Sequence, residues 1–307
     1  MKKRGFPIIF SLLLLTILFL SLTSAGMFSE LWSKITGKAT SGPASLNITI
    51  GNSAPTIEWV ETIASTPPTD DGTKTITFNF SATDIDGYTN INVSTAEARF
   101  ELAGETTRNA SCTNWSQENN IVNFTCAVDM FYFDKADNSW IINVTVFDIN
   151  SARGINASTV FTYEVHTGLK VSPPSVNWSA EIGIQETDTG STNDPLTVNN
   201  TGNDDAVSLN VTAYNLRGEV TTTEFIYANN FTVENESQGC TGTEMVNASS
   251  INVTSAILYS GNHSFNYNNA TSGQEQMYFC LRGVPQDISP QSYSSSAYGS
   301  WQIEVVT

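Results

Sequence analysis

From Pro55 onward, apolar and polar residues alternate with a period of two, the pattern of strands that bury one face. In residues 75–82, Ile and Phe side chains share one face of the chain, while Thr and Asn occupy the other. Residues 140–147 repeat this arrangement, and residues 160–165 repeat it more weakly. Turn signals rich in Pro, Asp and Gly separate such segments at 67–68, 70–72, 86–87 and 153–154. The pattern predicts a β-sandwich domain over residues 55–167.

The same period continues after residues 167–174, where a Pro-Pro pair indicates an interdomain linker. Further strands are predicted at 195–198, 206–213, 225–233, 250–258, 276–281 and 301–306, and a Ser/Tyr-rich loop at 291–300. We therefore expect an all-β chain whose second β-sandwich domain covers residues 168–307.

A separate alternating segment, Leu46–Ile50, lies before the first of these domains. It predicts a strand that either pairs within its own chain or completes the sheet of a neighbouring copy.

The N-terminus carries a cationic start, an apolar run from Phe6 to Leu22, and small residues at Thr23 and Ala25. This pattern predicts a secretory signal peptide over residues 1–25. Two alternatives stay open, an uncleaved membrane anchor and a pilin-like precursor cleaved after Gly5. Residues 26–54 follow as an amphipathic segment and linker.

The charge balance excludes one class of partner. With 30 acidic and 13 basic residues, the chain has a formal net charge of −17 and is expected to repel nucleic acid. Only two histidines are present, and no sequence motif of hydrolases, kinases or dinucleotide-binding enzymes occurs. We therefore expect a protein that is not an enzyme.

Four cysteines in an exported chain predict two disulfides. Pairing neighbours, Cys112–Cys126 and Cys240–Cys280, keeps each bond within one predicted domain. The loop-entropy relation gives such bonds about 3 and about 4 kcal/mol of stabilisation.

The most frequent motif is Asn-x-Ser/Thr, the acceptor sequence for N-glycosylation. It includes 17 of the 30 asparagines, whereas random placement of the 72 Ser and Thr residues would give about 7. A strand with Asn and Thr on its wet face also produces Asn-x-Thr by alternation, but this explains less well the motifs with Ala or Glu in the middle. We predict glycosylation at Asn47, Asn79, Asn92, Asn109, Asn114, Asn123, Asn143, Asn156, Asn177, Asn199, Asn210, Asn230, Asn235, Asn247, Asn252, Asn262 and Asn269.

One group of carboxylates could hold a cation. Asp84 and Asp86 lie two residues apart at a turn, and Asp148 follows a later predicted strand. Hard oxygen ligands at the end of a sandwich suit Ca²⁺, while Asp residues at turns commonly bond their own backbone. Calcium at Asp84, Asp86 and Asp148 and a solvated turn are therefore both open; no other cofactor is predicted.

Several short segments resemble known surface proteins. Residues 82–87 (ATDIDG) and 140–148 (WIINVTVFD) are similar to strand motifs of cadherin-like and PKD-like immunoglobulin-fold repeats. Residues 28–39 (FSELWSKITGKA) look like part of secreted archaeal surface proteins, and residues 196–203 (LTVNNTGN) look like the strand-turn of bacterial and archaeal surface sandwich modules. The resemblance implies two tandem immunoglobulin-like β-sandwiches in a secreted archaeal cell-surface glycoprotein.

The expected role is therefore structural or adhesive, in an extracellular or cell-surface location. The expected partners are other surface proteins or copies of the same chain and N-linked glycans, with membrane contact only through an uncleaved N-terminal segment. Two alternatives stay open, a subunit of an extracellular filament and a carbohydrate-binding module that uses an exposed tryptophan such as Trp115.

Overall fold

The computed structural model describes residues 45–236, 240–263 and 273–306, with only the backbone described for 185–190. The signal-peptide prediction, most of the amphipathic segment and Asn269 lie outside these residues. Residues 52–307 form one compact unit, and residues 45–51 belong to a separate one. In residues 45–51 no strand is present, so the expected first strand of this chain does not form there.

Every long element in the described ranges is a β-strand, and two short 3₁₀ turns lie at Tyr88–Asn90 and Ala228–Asn230. Seven strands make up the first β region: β1 (Thr56–Val60), β2 (Thr73–Thr83), β3 (Ile91–Glu101), β4 (Arg108–Glu118), β5 (Ile121–Phe131), β6 (Asp137–Asp148) and β7 (Arg153–Tyr163). The second β region contains β8 (Leu169–Ser172), β9 (Gln185–Gly190), β10 (Leu196–Asn200), β11 (Val207–Thr212), β12 (Leu216–Gly218), β13 (Phe225–Ile226), β14 (Phe231–Glu234), β15 (Thr243–Glu244), β16 (Ser250–Leu258), β17 (Gln274–Gly283), β18 (Tyr293–Ser294) and β19 (Gln302–Val306). The all-β prediction is confirmed.

In the first β region the strands follow the order β1-β2-β5-β4-β3-β6-β7, and all neighbours are antiparallel. β4 pairs with β3 through its first residues and with β5 through the remainder, so it links the two halves of the sheet. Alternate side chains of these strands meet in one core that includes the fully buried Phe80, Phe124 and Trp140. The inward positions at Ile142 and Val144 are buried as the alternation predicts.

In the second β region three sheets surround another hydrophobic cluster. One has the order β15-β14-β17-β10-β8, with β9 also paired to β17. The other two are three-stranded, β16-β11-β19 and β13-β12-β18. Leu209, Phe231 and Leu258 are among the residues that they bury together.

Three local predictions from the sequence are wrong. The presumed linker at 167–174 contains β8, which pairs with β10. The presumed turn at Arg153-Gly154 is the start of β7, where a Cβ on Gly154 would collide with the Pro55 carbonyl oxygen. The loop predicted at 291–300 contains the short strand β18.

The turn between β10 and β11 joins the two β regions. Its buried Asn203 donates through Nδ2 to the carbonyl oxygens of Asp134 and Glu164, at 3.0 and 2.9 Å. Asn203 Oδ1 accepts the His166 N–H at 2.7 Å, and the Thr201 carbonyl accepts the Asp71 N–H at 2.8 Å. These bonds hold the turn against the end of the first β region.

Across the residues that the structure describes, no helix has the length and apolar character needed to cross a membrane.

Candidate functional site

Asp84, Asp86 and Asp148, the predicted calcium ligands, lie where β2 and β6 end. Asp84 and Asp148 are almost fully buried, with 1% and 2% of their surface exposed. Asp84 accepts the Asp86 N–H at 2.8 Å, and Asp148 accepts the N–H groups of Asn150 and Ala152 at 2.8 and 2.7 Å. Each buried carboxylate therefore closes the turn that follows its own strand.

Two asparagine side chains connect these carboxylates. Asn52 donates through Nδ2 to Asp148, and its Oδ1 accepts Nδ2 of Asn90 at 3.1 Å. Asn90 also donates to Asp84 Oδ2 at 3.2 Å. Sequence reasoning missed Asn52 and Asn90; Asn90 lies directly before β3, and Asn52 lies four residues before β1.

The network changes the acidity of Asp148. Its hydrogen bond from Asn52 is the largest cause that lowers the pKa of this carboxyl, while burial acts in the opposite direction. The N–H groups of Ala152 and Asn150 lower the pKa further. The folded protein thus favours the charged form of Asp148.

The donor set does not suit a cation. Within the described ranges no group of three or more Asp, Glu, His or Cys side chains is placed to hold a metal ion. N–H groups bind the oxygens of Asp84 and Asp148, and Asp86 Oδ2 accepts the Ser53 N–H at 2.9 Å. Calcium needs about six to eight oxygen ligands, so the calcium prediction for Asp84, Asp86 and Asp148 is not supported. The cluster instead closes this end of the first β region.

The sequon asparagines share one property. Only Asn269 lies outside the described residues, and each of the others is exposed or half-buried. The buried asparagines in the described ranges are Asn90, Asn200 and Asn203, and none of these three begins a sequon. The acceptor sequences thus follow the accessible surface.

The sequons differ in the freedom of the Nδ2 atom that would carry the sugar. Asn143 donates through Nδ2 to both carboxylate oxygens of Glu101, at 3.2 and 3.3 Å, and its Oδ1 is buried without a partner. By contrast, Asn109, Asn114 and Asn247 are exposed. Half-buried sequons whose Nδ2 is already hydrogen-bonded, such as Asn143, are therefore poorer acceptors than exposed ones.

Both expected disulfides are present. Cys112 and Cys126 occupy facing positions on β4 and β5, and Cys240 bonds Cys280 on β17. No cysteine in the described ranges is free.

A cavity of about 1190 Å³ lies between the sheets of the second β region. Trp178, Phe231 and Trp301 form an aromatic cluster in its lining, with Phe231 4.9 Å from Trp178 and 5.2 Å from Trp301 between ring centroids. The buried Trp178 Nε1 has no hydrogen-bond partner, whereas Trp301 Nε1 donates to the Tyr214 carbonyl at 2.8 Å. Both apolar and polar side chains line the cavity, and the Trp178 N–H is an unused donor within it.

Glu224 fixes one wall of this cavity. Its carboxylate accepts the Ser289 N–H at 2.7 Å, the Tyr293 hydroxyl at 2.8 Å and Gln291 Nε2 at 2.9 Å. The Ser289 N–H is the largest cause that lowers the pKa of Glu224, followed by the Tyr293 hydroxyl. Because Ser289, Gln291 and Tyr293 all line the cavity, Glu224 holds this wall in place.

No protein-family model matches the chain, and no match is found among the curated proteins.

Proposed function

We propose that this chain is a non-enzymatic glycoprotein of the cell surface or extracellular space, with a structural or adhesive role. In this proposal the two β regions are tandem immunoglobulin-like sandwiches that present a sugar-coated surface to other surface proteins or to copies of the same chain.

The distribution of asparagines carries the proposal. Sequon asparagines are exposed or half-buried, and the buried Asn90, Asn200 and Asn203 are outside sequons. Glycans require exported, accessible positions, so this separation is the one expected for a glycoprotein. The two disulfides are also typical of proteins that fold outside the cytosol.

The direct test combines location with modification. Immunogold electron microscopy of intact cells is expected to label the cell surface or surrounding material. Glycopeptide mass spectrometry is expected to find sugar at the exposed Asn109, Asn114 and Asn247, and little at Asn143. A protein confined to the cytoplasm, with the mass of the bare polypeptide, would contradict the proposal.

A carbohydrate-binding module is the second candidate, since Trp115 leaves 63% of its surface exposed on β4. In that case Trp115→Ala would abolish saturable binding to immobilised glycans. Trp59→Ala, which removes another exposed tryptophan, serves as the matched control and is expected to leave binding unchanged.

A further inference from the structure

One edge of the second β region lacks a neighbour. β19 pairs with β11, and no strand in the described ranges pairs with its other edge. In the first β region, β3 pairs with β6, and β6 pairs in turn with β7. β19, by contrast, ends its three-stranded sheet, and its outer edge is open in the described ranges.

The cavity described above lies beside this edge. Trp301 and Ile303 from the β19 segment line it, together with Trp178. At about 1190 Å³ it exceeds the range of roughly 300–1,000 Å³ typical of small-molecule sites. An extended segment next to β19 would direct alternate side chains into this space, and one of its carbonyl groups could accept the unused N–H of Trp178.

The chain carries a segment with the matching pattern. Leu46, Ile48 and Ile50 alternate with polar residues, and 86%, 75% and 88% of their respective surfaces are exposed. Three large apolar side chains on one face of an extended segment are costly to leave in water. The segment has no strand partner among the described residues.

Chain length prevents the segment from filling the cavity of its own copy. Ile50 is two residues before Asn52, which is bonded at the Asp148 end of the first β region. The other end of β2 is Thr73, and its 11 residues span about 33 Å. Just before Thr73, the Asp71 N–H bonds the Thr201 carbonyl of the second β region. Two residues reach only about 7 Å. The segment therefore does not reach the cavity of its own copy.

We propose that residues 46–50 of one copy pair with the open edge of β19 in a second copy and insert Leu46, Ile48 and Ile50 into its cavity. The contact is head-to-tail, since donor and acceptor are different surfaces, and such contacts continue into chains unless they close into a ring. The inference deepens the proposed structural role and rests on it.

The first experiment uses the full chain, purified in a mild detergent that disperses the apolar N-terminal segment. Light scattering after size exclusion is expected to show oligomers that grow with protein concentration. Ile48→Asp places a charge in the cavity and is expected to weaken self-association by about 100-fold or more. Thr49→Asp adds the same charge to the opposite face of the segment but also removes the Asn47 sequon. Thr49→Ala, which removes the sequon without adding a charge, is therefore measured beside it, and both controls are expected to keep the oligomers.

The second experiment mixes two assembly-defective variants. Ile48→Asp retains a working cavity, and Ile303→Asp retains a working donor segment, so a mixture is expected to form a one-to-one dimer that grows no further. Near-UV circular dichroism verifies the fold of Ile303→Asp. If that variant is unfolded, binding of a fluorescent peptide of residues 44–52 to the Ile48→Asp chain replaces the mixing test, with the Ile48→Asp peptide as its control.

Three results would overturn the inference: a monomeric full chain at high concentration, equal association of Ile48→Asp and Thr49→Asp, or neither heterodimer nor peptide binding. None of these would affect surface labelling of cells, so they are distinguishable from failure of the proposed function.

Discussion

At the residue scale, the sequence predicted only some of the buried polar side chains. The turn position of Asp84 and Asp86 and the place of Asp148 after a strand were readable from the chain. Their partners Asn52 and Asn90 were not, because an amide side chain leaves no periodic signature and its hydrogen bonds join residues far apart in sequence. The donor set consequently differs from the calcium site that the carboxylates alone suggested.

The lowered pKa of Asp148 predicts acid sensitivity. The fold holds this pKa below its unfolded value of about 3.9. The unfolded chain therefore binds more protons than the folded chain as the pH falls towards and below that value. The stabilisation is complete above about pH 5 and is lost as the pH falls through the folded pKa. Asp148→Asn is expected to lower stability near pH 7 and to flatten this part of the pH profile, as measured by urea unfolding.

Asp287→Asn provides the control, because it removes the same charge from an exposed loop position. It is expected to keep the wild-type profile. An unchanged acid response in Asp148→Asn would contradict the role assigned to the Asn52 hydrogen bond.

At the element scale, several strands with apolar alternation were predicted, but β5, which buries alternate residues from Val122 to Met130, was missed. β2 and β6 bury large side chains at alternate positions, and the sequence identified both of them. β4 is almost entirely exposed, so its residues show no apolar period. β3 buries the small residues Ala96 and Ala98, which give a weak signal. Side-chain burial, rather than backbone pairing, is what the pattern records.

The disulfide between β4 and β5 is expected to stabilise the first β region. A double variant, Cys112→Ala with Cys126→Ala, removes a bond that spans 14 positions, and it should lower the free energy of unfolding by about 2–4 kcal/mol. Guanidinium unfolding measures the change. The wild-type protein, measured in the oxidised form and again under reducing conditions, is the comparison. A double variant as stable as the oxidised wild type would refute this expectation.

We predict a second loss of stability for a substitution in the turn between β10 and β11. A Cβ on Gly202 would overlap the His166 carbonyl oxygen, so the backbone would have to move. Gly202→Ala is expected to lower the free energy of unfolding by about 1–3 kcal/mol. Gly51→Ala is the control, because its Cβ would meet no atom within 4 Å, and thermal unfolding of both variants checks the difference.

At the scale of the whole molecule, composition and patterning were sufficient for an all-β fold with two disulfides. The empty position beside β19 and the cavity next to it were not readable, because they depend on which distant strands pair. The alternating pattern at 46–50 was readable, although no strand is present there, whereas the reach of the chain from Asn52 was not.

The net charge of −17 predicts that self-association depends on salt. Like-charged copies repel each other at low ionic strength, and at 0.15 M the screening length is about 8 Å. Raising the salt from about 0.01 M to 0.15 M is therefore expected to enlarge the wild-type oligomers, as followed by sedimentation velocity. Ile48→Asp is expected to stay monomeric at both salt concentrations, and oligomers that shrink with salt would contradict an apolar contact.

The antiparallel pairing of β1 with β2 has a mechanical consequence. Thr56 faces Thr83 at the outer end of the first β region, while β7 leaves through Tyr163 at the opposite end. A tensile force applied through Asn52 and residue 169 would pull β1 and β7 lengthwise along their neighbours, so that several backbone bonds share the strain and must break together. Stretching of single molecules in an atomic force microscope would therefore meet high resistance in this region.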